Sequence, residues 1–193
     1  MKNKMSLFLL MACIIACASC AKKTETDSKE IAEDQNEEKF DTTKVEDDAE
    51  FAVAAADASL LEVKLGELAQ SKGTAASVKE LGKMMVADHS KANEELTSLA
   101  GRKNISLPAT LSEKHQKKYD DLAAKSGEDF DKAYSEAMVD GHKDVISKFK
   151  EESEDGTDAE LRAWATEKLP TLQHHLSMSE STRDGVKKTA KNN

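Results

Sequence analysis

Apolar residues recur three and four apart over four long stretches of this chain, and that period commits most of it to amphipathic helices. The first stretch covers about 48–72, with Phe51, Ala55, Ala58, Glu62, Leu65, Leu68 and Ala69 on one stripe, and stops at Gly73. The second opens at a Ser77/Glu80 capping pair and runs to about Lys103 through Val78, Leu81, Met85, His89, Ala92, Leu96 and Leu99. The third spans about 128–154 with Phe130, Tyr134, Met138, His142, Val145 and Phe149, and ends at Gly156. A Thr157/Glu160 pair opens the fourth, which carries Leu161, Ala165, Leu169, Leu172, His175 and Leu176 to about Gly185.

Between the second and third stretches, Pro108 breaks the helix, and a Thr110/Glu113 pair starts a short helical piece over about 111–126. Pro170 falls inside the fourth stretch, where it removes one backbone donor and predicts a kink near Thr166. Tight connections within each half and a longer one in the middle predict an all-α, up-and-down four-helix bundle over 49–185 with a short extra helix between helices 2 and 3. The last residues, 186–193, read as a frayed tail.

The N-terminus has a different grammar. Lys2 and Lys4 precede an apolar run from Met5 to Ala18, shorter than the roughly 20 residues a spanning helix needs, so 1–20 reads as a secretory signal. All three cysteines, Cys13, Cys17 and Cys20, lie within it. A small residue before a cysteine at the end of such a run is the cleavage signature of a lipoprotein, which places the acylated residue at Cys20, with Cys17 as the alternative. The predicted setting is the cell envelope, lipid-anchored to a membrane. Ala21 after Cys20, rather than an aspartate, points to the outer membrane with the domain in the periplasm. Residues 21–50 hold twelve acidic residues against five lysines, and 21–48 show almost no apolar periodicity, which predicts a flexible acidic tether. The net charge of −9 argues against nucleic acid as a partner. Protein partners and oligomeric state are not legible.

One polar residue interrupts the apolar stripe of each long stretch: Glu62, His89, His142 and His175. Asp88 lies three after Met85 and is also able to turn inward. Carboxylate and imidazole side chains from facing helices can hold a cation, so these residues form a candidate metal set. Met85 and Met138 each precede a histidine by one turn, and Met178 follows His175 by three. Thioether with imidazole suits copper, while the plain reading of a methionine at helical spacing is core filler. Candidate ions are Cu, Zn and Fe. The Glu-x-x-His pattern of di-iron proteins is absent, since Val86, Val139, Thr171 and Leu172 stand three before His89, His142, His174 and His175. His115 and His174 are expected to face solvent, and Trp164 to anchor packing. No phosphate loop, nucleophile elbow or catalytic residue pairing is evident.

The phrases Glu62-Val63-Lys64-Leu65-Gly66, Met84-Met85-Val86-Ala87-Asp88-His89, Leu107-Pro108, Phe130-Asp131-Lys132-Ala133-Tyr134, Met138-Val139-Asp140-Gly141-His142 and Leu169-Pro170-Thr171-Leu172-Gln173-His174-His175-Leu176 occur in that order. In these the chain resembles the bacterial domain of unknown function 4142, whose members are often labelled outer membrane proteins. The resemblance covers about 49–182 and implies a ferritin-like fold. It also implies that Glu62, Asp88 with His89, His142 and His175 are the family's recurring polar positions; His174 is an addition. The family has no settled activity. Three readings follow: a non-enzymatic envelope lipoprotein that binds a transition metal for metal handling or stress tolerance, a structural or interaction module without metal, and a redox enzyme.

Overall fold

The computed structural model describes residues 27–40 and 43–192. Among them are six helices and no strand: α1 Ser28–Glu37, α2 Thr43–Lys72, α3 Ala76–Lys103, α4 Glu113–Ala123, α5 Gly127–Asp155 and α6 Ala159–Asn192. No described helix is long and apolar enough to cross a membrane. Cys17 and Cys20 lie outside the described residues.

The four periodic stretches become α2, α3, α5 and α6, which pack chiefly as two hairpins, α2 against α3 and α5 against α6. Within the first hairpin the helices approach closely at two glycines. A Cβ on Gly66 would stand 2.6 Å from the Gly82 carbonyl oxygen, and one on Gly82 would stand 2.7 Å from that of Gly66. Backbone contact of this kind is open only to residues without a side chain.

The helix starts differ from the sequence expectation for one shared reason. α3 begins with Ala75 as a cap that makes no side-chain bond, in place of Ser77. The carboxylate of Asp131, on α5, accepts from Thr74 N at 3.0 Å and Ala75 N at 2.8 Å and also bonds the Thr74 hydroxyl. The mirror arrangement holds at the other turn. Asp48, on α2, accepts from Thr157 N at 2.8 Å and Asp158 N at 2.6 Å, while Asp158 itself caps α6 by accepting from Glu160 N and Leu161 N. Both aspartates are 2% exposed. Charged acceptors on backbone N–H groups at a helix start satisfy orphan donors and meet the positive end of the helix dipole. A third buried aspartate, Asp57 on α2, accepts from Ser112 N at 2.9 Å, and Ser112 caps α4.

Three expectations are corrected. The acidic segment 21–48 is not an unstructured tether over Ser28–Glu37, nor from Thr43 onward, where α2 has already begun. α1 docks largely through polar bonds to the 104–113 connection. Asn36 donates to Ser106 O at 3.0 Å and accepts from Ser106 N at 2.7 Å, and the Ser28 hydroxyl accepts from Ala109 N at 3.0 Å. Such docking leaves little apolar pattern to read, since Ala32 is its only buried apolar residue. The C-terminal residues continue α6 to Asn192, with Val186 buried in the core. His115 is not solvent-facing: it pairs with the buried Asp57 at 2.9 Å, which holds α4 against α2. The helix runs through Pro170.

If the glycine contact sets the spacing of α2 and α3, Gly82→Ala should lower the unfolding free energy by about 2–3 kcal/mol through overpacking. Gly101→Ala, where an added Cβ meets nothing within 4 Å, should instead raise it by about 0.5–1 kcal/mol. Denaturant titration of both variants checks this; equal effects would refute the close-contact account.

Candidate metal centre

The interior divides into two apolar clusters. One gathers Ala52, Ala56, Leu96, Leu99, Ile146, Phe149, Leu161 and Leu172, and includes an aromatic contact of Phe51 with Phe149 at 5.0 Å. The other gathers Leu61, Leu65, Leu81, Met85, Phe130, Tyr134, Met138 and Val186. Along α3 and α5 the polar interruption falls where one cluster gives way to the other, whereas Glu62 lies between Leu61 and Leu65 of the second cluster and His175 between Leu172 and Leu176 of the first. His89 follows Met85 and precedes Leu96, and His142 lies between Met138 and Ile146. Glu62, His89, His142 and His175 are all buried, at 5%, 7%, 1% and 1% exposure.

The three histidines meet. Ring centroids of His89 and His175 are 5.2 Å apart, those of His142 and His175 5.3 Å, and those of His89 and His142 5.8 Å. One ligand nitrogen from each lies within 4.8 Å of the other two.

Hydrogen bonds on the outer side of each ring determine which nitrogen carries the proton. His142 Nδ1 is 2.8 Å from the Met138 carbonyl oxygen, which only accepts, so Nδ1 is the donor and Nε2 bears a lone pair. His175 Nε2 donates to the Asp88 carboxylate at 2.8 Å, leaving the lone pair on Nδ1. The Ser59 hydroxyl donates to the His89 carbonyl oxygen at 3.1 Å, so its oxygen is left to accept from His89 Nδ1 at 3.3 Å, and His89 Nε2 bears the lone pair. Among the described residues, His89 Nε2, His142 Nε2 and His175 Nδ1 are the buried imidazole nitrogens with no hydrogen-bond partner.

Electrostatics keep the rings neutral. Burial, with His142 and His175 nearby, holds His89 well below the usual imidazole range. Burial pushes His142 down to about 4, against the bond to the Met138 carbonyl. Burial also lowers His175, opposed by the Asp88 carboxylate. Neutral imidazole is the form that ligates metals. The arrangement matches what metal-binding histidines show, with the distal N–H tied to a carboxylate, a backbone carbonyl or a hydroxyl and the proximal nitrogen aimed inward.

The remaining candidates fall in several places. Glu62 borders the same cavity as the histidines, yet its carboxylate is outside the set of mutually close ligand atoms. Its Oε1 rests over Gly141, 3.2 Å from where a Cβ would stand, and its Oε2 has no partner. Burial raises Glu62 to about 8, with Lys118 acting the other way. Asp88 is an outer partner of His175 rather than a member of the inner set. Met85 and Met138 are fully buried in the second apolar cluster, Met178 is 40% exposed, and none of the three lines the cavity. His174 is exposed. Ser59 escaped the sequence reading altogether; its only signal was its place three residues before Glu62.

The cavity beside the histidines measures about 200 Å³. Leu96, Val145, Phe149 and Leu172 make its apolar wall, and the exposed Lys91 and Glu167 stand on its rim. Trp164, expected only as a packing anchor, both stacks near Phe149 at 5.3 Å and lines this cavity.

Residues 32–182 match the family model described as Domain of unknown function (DUF4142). The chain belongs to that family. No curated protein and no solved structure matches significantly. The match begins at Ala32, inside α1, so the DUF4142 region includes part of the helix that docks on the 104–113 connection. It also contains every residue of the histidine cluster and its three outer partners.

The raised Glu62 pKa carries a sign that can be tested. Between its ordinary value of 4.5 and about 8 the folded state keeps a proton that the unfolded state loses. Glu62 therefore costs stability increasingly as pH rises through that window. Glu62→Gln, in the presence of a chelator, should match the parent protein below pH 4.5 and exceed it by on the order of 4 kcal/mol at pH 8.5. A pH-independent difference would show that Glu62 titrates in the folded protein as it does in the unfolded chain.

Proposed function

We propose that this protein is a cell-envelope lipoprotein whose DUF4142 domain, an up-and-down four-helix bundle, binds one transition-metal ion through His89 Nε2, His142 Nε2 and His175 Nδ1. The observation that carries this reading is the convergence of three imidazole lone pairs with no donor among them. Three acceptors buried together repel one another and forfeit their hydrogen bonds, at a cost of roughly 1–3 kcal/mol each. A cation removes both penalties at once. Nitrogens around a shared ion at about 2.0–2.1 Å stand roughly 3.3–3.6 Å apart, so a small inward rotation of the rings from the observed spacing suffices.

Three neutral nitrogens favour a borderline ion, Zn²⁺ or Cu²⁺, over a hard oxygen-seeking one. Placement of Met85, Met138 and Met178 away from the cavity removes the thioether argument for Cu(I). Three ligands also leave a coordination position facing the 200 Å³ cavity, where water or a small ligand fits. The role that goes with this site is metal handling in the envelope. The N-terminal pattern of Lys2, Lys4, an apolar run and Cys20 supports the anchor.

Purified protein without an affinity tag should retain about one equivalent of metal after dialysis, measured by elemental analysis. His89→Ala and His142→Ala should abolish retention, and Asp88→Asn should weaken it about 10–100-fold by releasing His175. Saturating Zn²⁺ or Cu²⁺ should stabilise the parent protein by about 4 kcal/mol at a thousandfold excess over Kd. Metal-free protein whose melting is unmoved by either ion would leave a structural module in which the histidines only specify packing.

The anchor is tested separately. Cys17→Ala with Cys20→Ala should shift the protein from the membrane fraction to the soluble fraction on cell fractionation. Persistence with the membranes would overturn lipidation.

A further inference from the structure

Glu62 borders two cavities. One is the histidine chamber; the other is a groove of about 860 Å³ between α2 and α5, bordered also by the start of α1 and by α4. Twelve acidic residues and four lysines line this groove. Asp48 and Asp57 are already engaged as caps, while Asp47, Glu50, Asp144 and Glu151 are exposed along it.

An acidic surface alone is common. Here it ends on two carboxylates that are buried without a hydrogen-bond partner on one oxygen, Glu62 Oε2 and Glu152 Oε1, in residues 5% and 6% exposed. Unpartnered buried carboxyl oxygens are costly, and a passing cation supplies what they lack. Glu152 is raised to about 8 by burial and by the neighbouring Asp48 and Asp158, against Arg162.

The partition between groove and chamber is thin. The residues that border both are Ala55, Ala58, Glu62, Val145 and Phe149, so methyl groups make up part of the wall. At Glu62 the facing residue of α5 is Gly141, which contributes no side chain. α2 and α5 also touch far less than the two helices of either hairpin, so parting them locally disturbs few contacts. The chamber's other mouth, between α3 and α6, is electrically balanced, with Asp88 and Glu167 against Lys91 and Lys168. A negative groove concentrates cations and raises their entry rate, whereas a balanced mouth does not.

We propose that the acidic groove between α2 and α5 is the entrance by which a hydrated divalent cation reaches the three histidines, with Glu62 as the carboxylate that passes it across the wall. This rests on the metal reading above and adds its route. The cation loses water stepwise against the groove carboxylates, displaces the proton that Glu62 holds into the groove water, binds the Glu62 carboxylate, whose Oε2 has no partner in the protein, and moves on to the imidazole nitrogens. Glu62 is outside the mutually close ligand set, which suits a hand-over position rather than a permanent ligand.

The test follows loading of the full-length protein with Co²⁺ after rapid mixing. The readout is quenching of Trp164, the only tryptophan and a chamber residue. The exposed triple variant Asp47→Asn/Asp144→Asn/Glu151→Gln should load about tenfold more slowly at low ionic strength. The difference should vanish at about 1 M salt, where screening is nearly complete. Glu62→Gln should load more slowly at every salt concentration, and Glu167→Gln at the other mouth should load at the parental rate. Parental rates in the triple variant, or slowing confined to Glu167→Gln, would overturn the groove as entrance while the metal reading stands. A parent protein that takes up no cobalt overturns both. Should Glu62→Gln fail to fold, the triple variant, altered only at exposed positions, still decides the matter.

Discussion

Two buried aspartates hold the hairpins of this protein in register. Asp131 on α5 ties down the turn between α2 and α3, and Asp48 on α2 ties down the turn between α5 and α6. Each carboxylate gives up water and recovers the loss in short bonds to backbone N–H groups at the start of a helix in the opposite hairpin. Apolar packing between helices tolerates sliding by a turn with modest loss. A carboxylate that must reach two particular N–H groups does not. The exchange of caps in both directions therefore fixes the height of α5 relative to α2, and with it the level at which side chains from the two hairpins meet.

That level is where the histidines converge. Each ring is locked from behind by a different kind of acceptor: a hydroxyl at His89, a backbone carbonyl at His142 and a carboxylate at His175. Locking from behind dictates which nitrogen keeps its proton, so all three present lone pairs to one another. Burial makes protonation unfavourable and closes the simplest escape from this conflict. A polar layer between two apolar clusters is thus kept in a state that a cation resolves. Glu62, raised by the same burial, stands beside the layer and faces the acidic groove.

Much of this is legible in the sequence, because helical periodicity is a local property of the chain. The stripes through Phe51 to Ala69 and through Val78 to Leu99 predicted α2 and α3 within a few residues at most ends, and the interruptions at His89, His142 and His175 singled out the residues that meet. Other features were not readable, for identifiable reasons. Ser77 and Thr157 looked like caps because Glu follows three residues later, yet caps supplied from another helix, as Asp131 and Asp48 supply them, leave no mark at the turn itself. α1 reads as a tether in the sequence because Asn36 and Ser28 dock through hydrogen bonds to backbone, which no hydrophobic pattern reports. The methionines sat at the right spacing from the histidines but on the side of the layer that belongs to the second apolar cluster.

By itself the sequence determined the number and type of the long helices, the buried polar position on each and the acidic balance, since these depend on residue spacing and composition within short windows. Tertiary structure alone decided that three imidazoles share one level while Glu62 stands aside, which nitrogen of each ring is free, and that Glu62 separates a chamber from a groove. Those are relations between residues tens of positions apart, such as Ser59 with His89 and Asp88 with His175. They exist only after the hairpins have been set against each other by the exchanged aspartate caps.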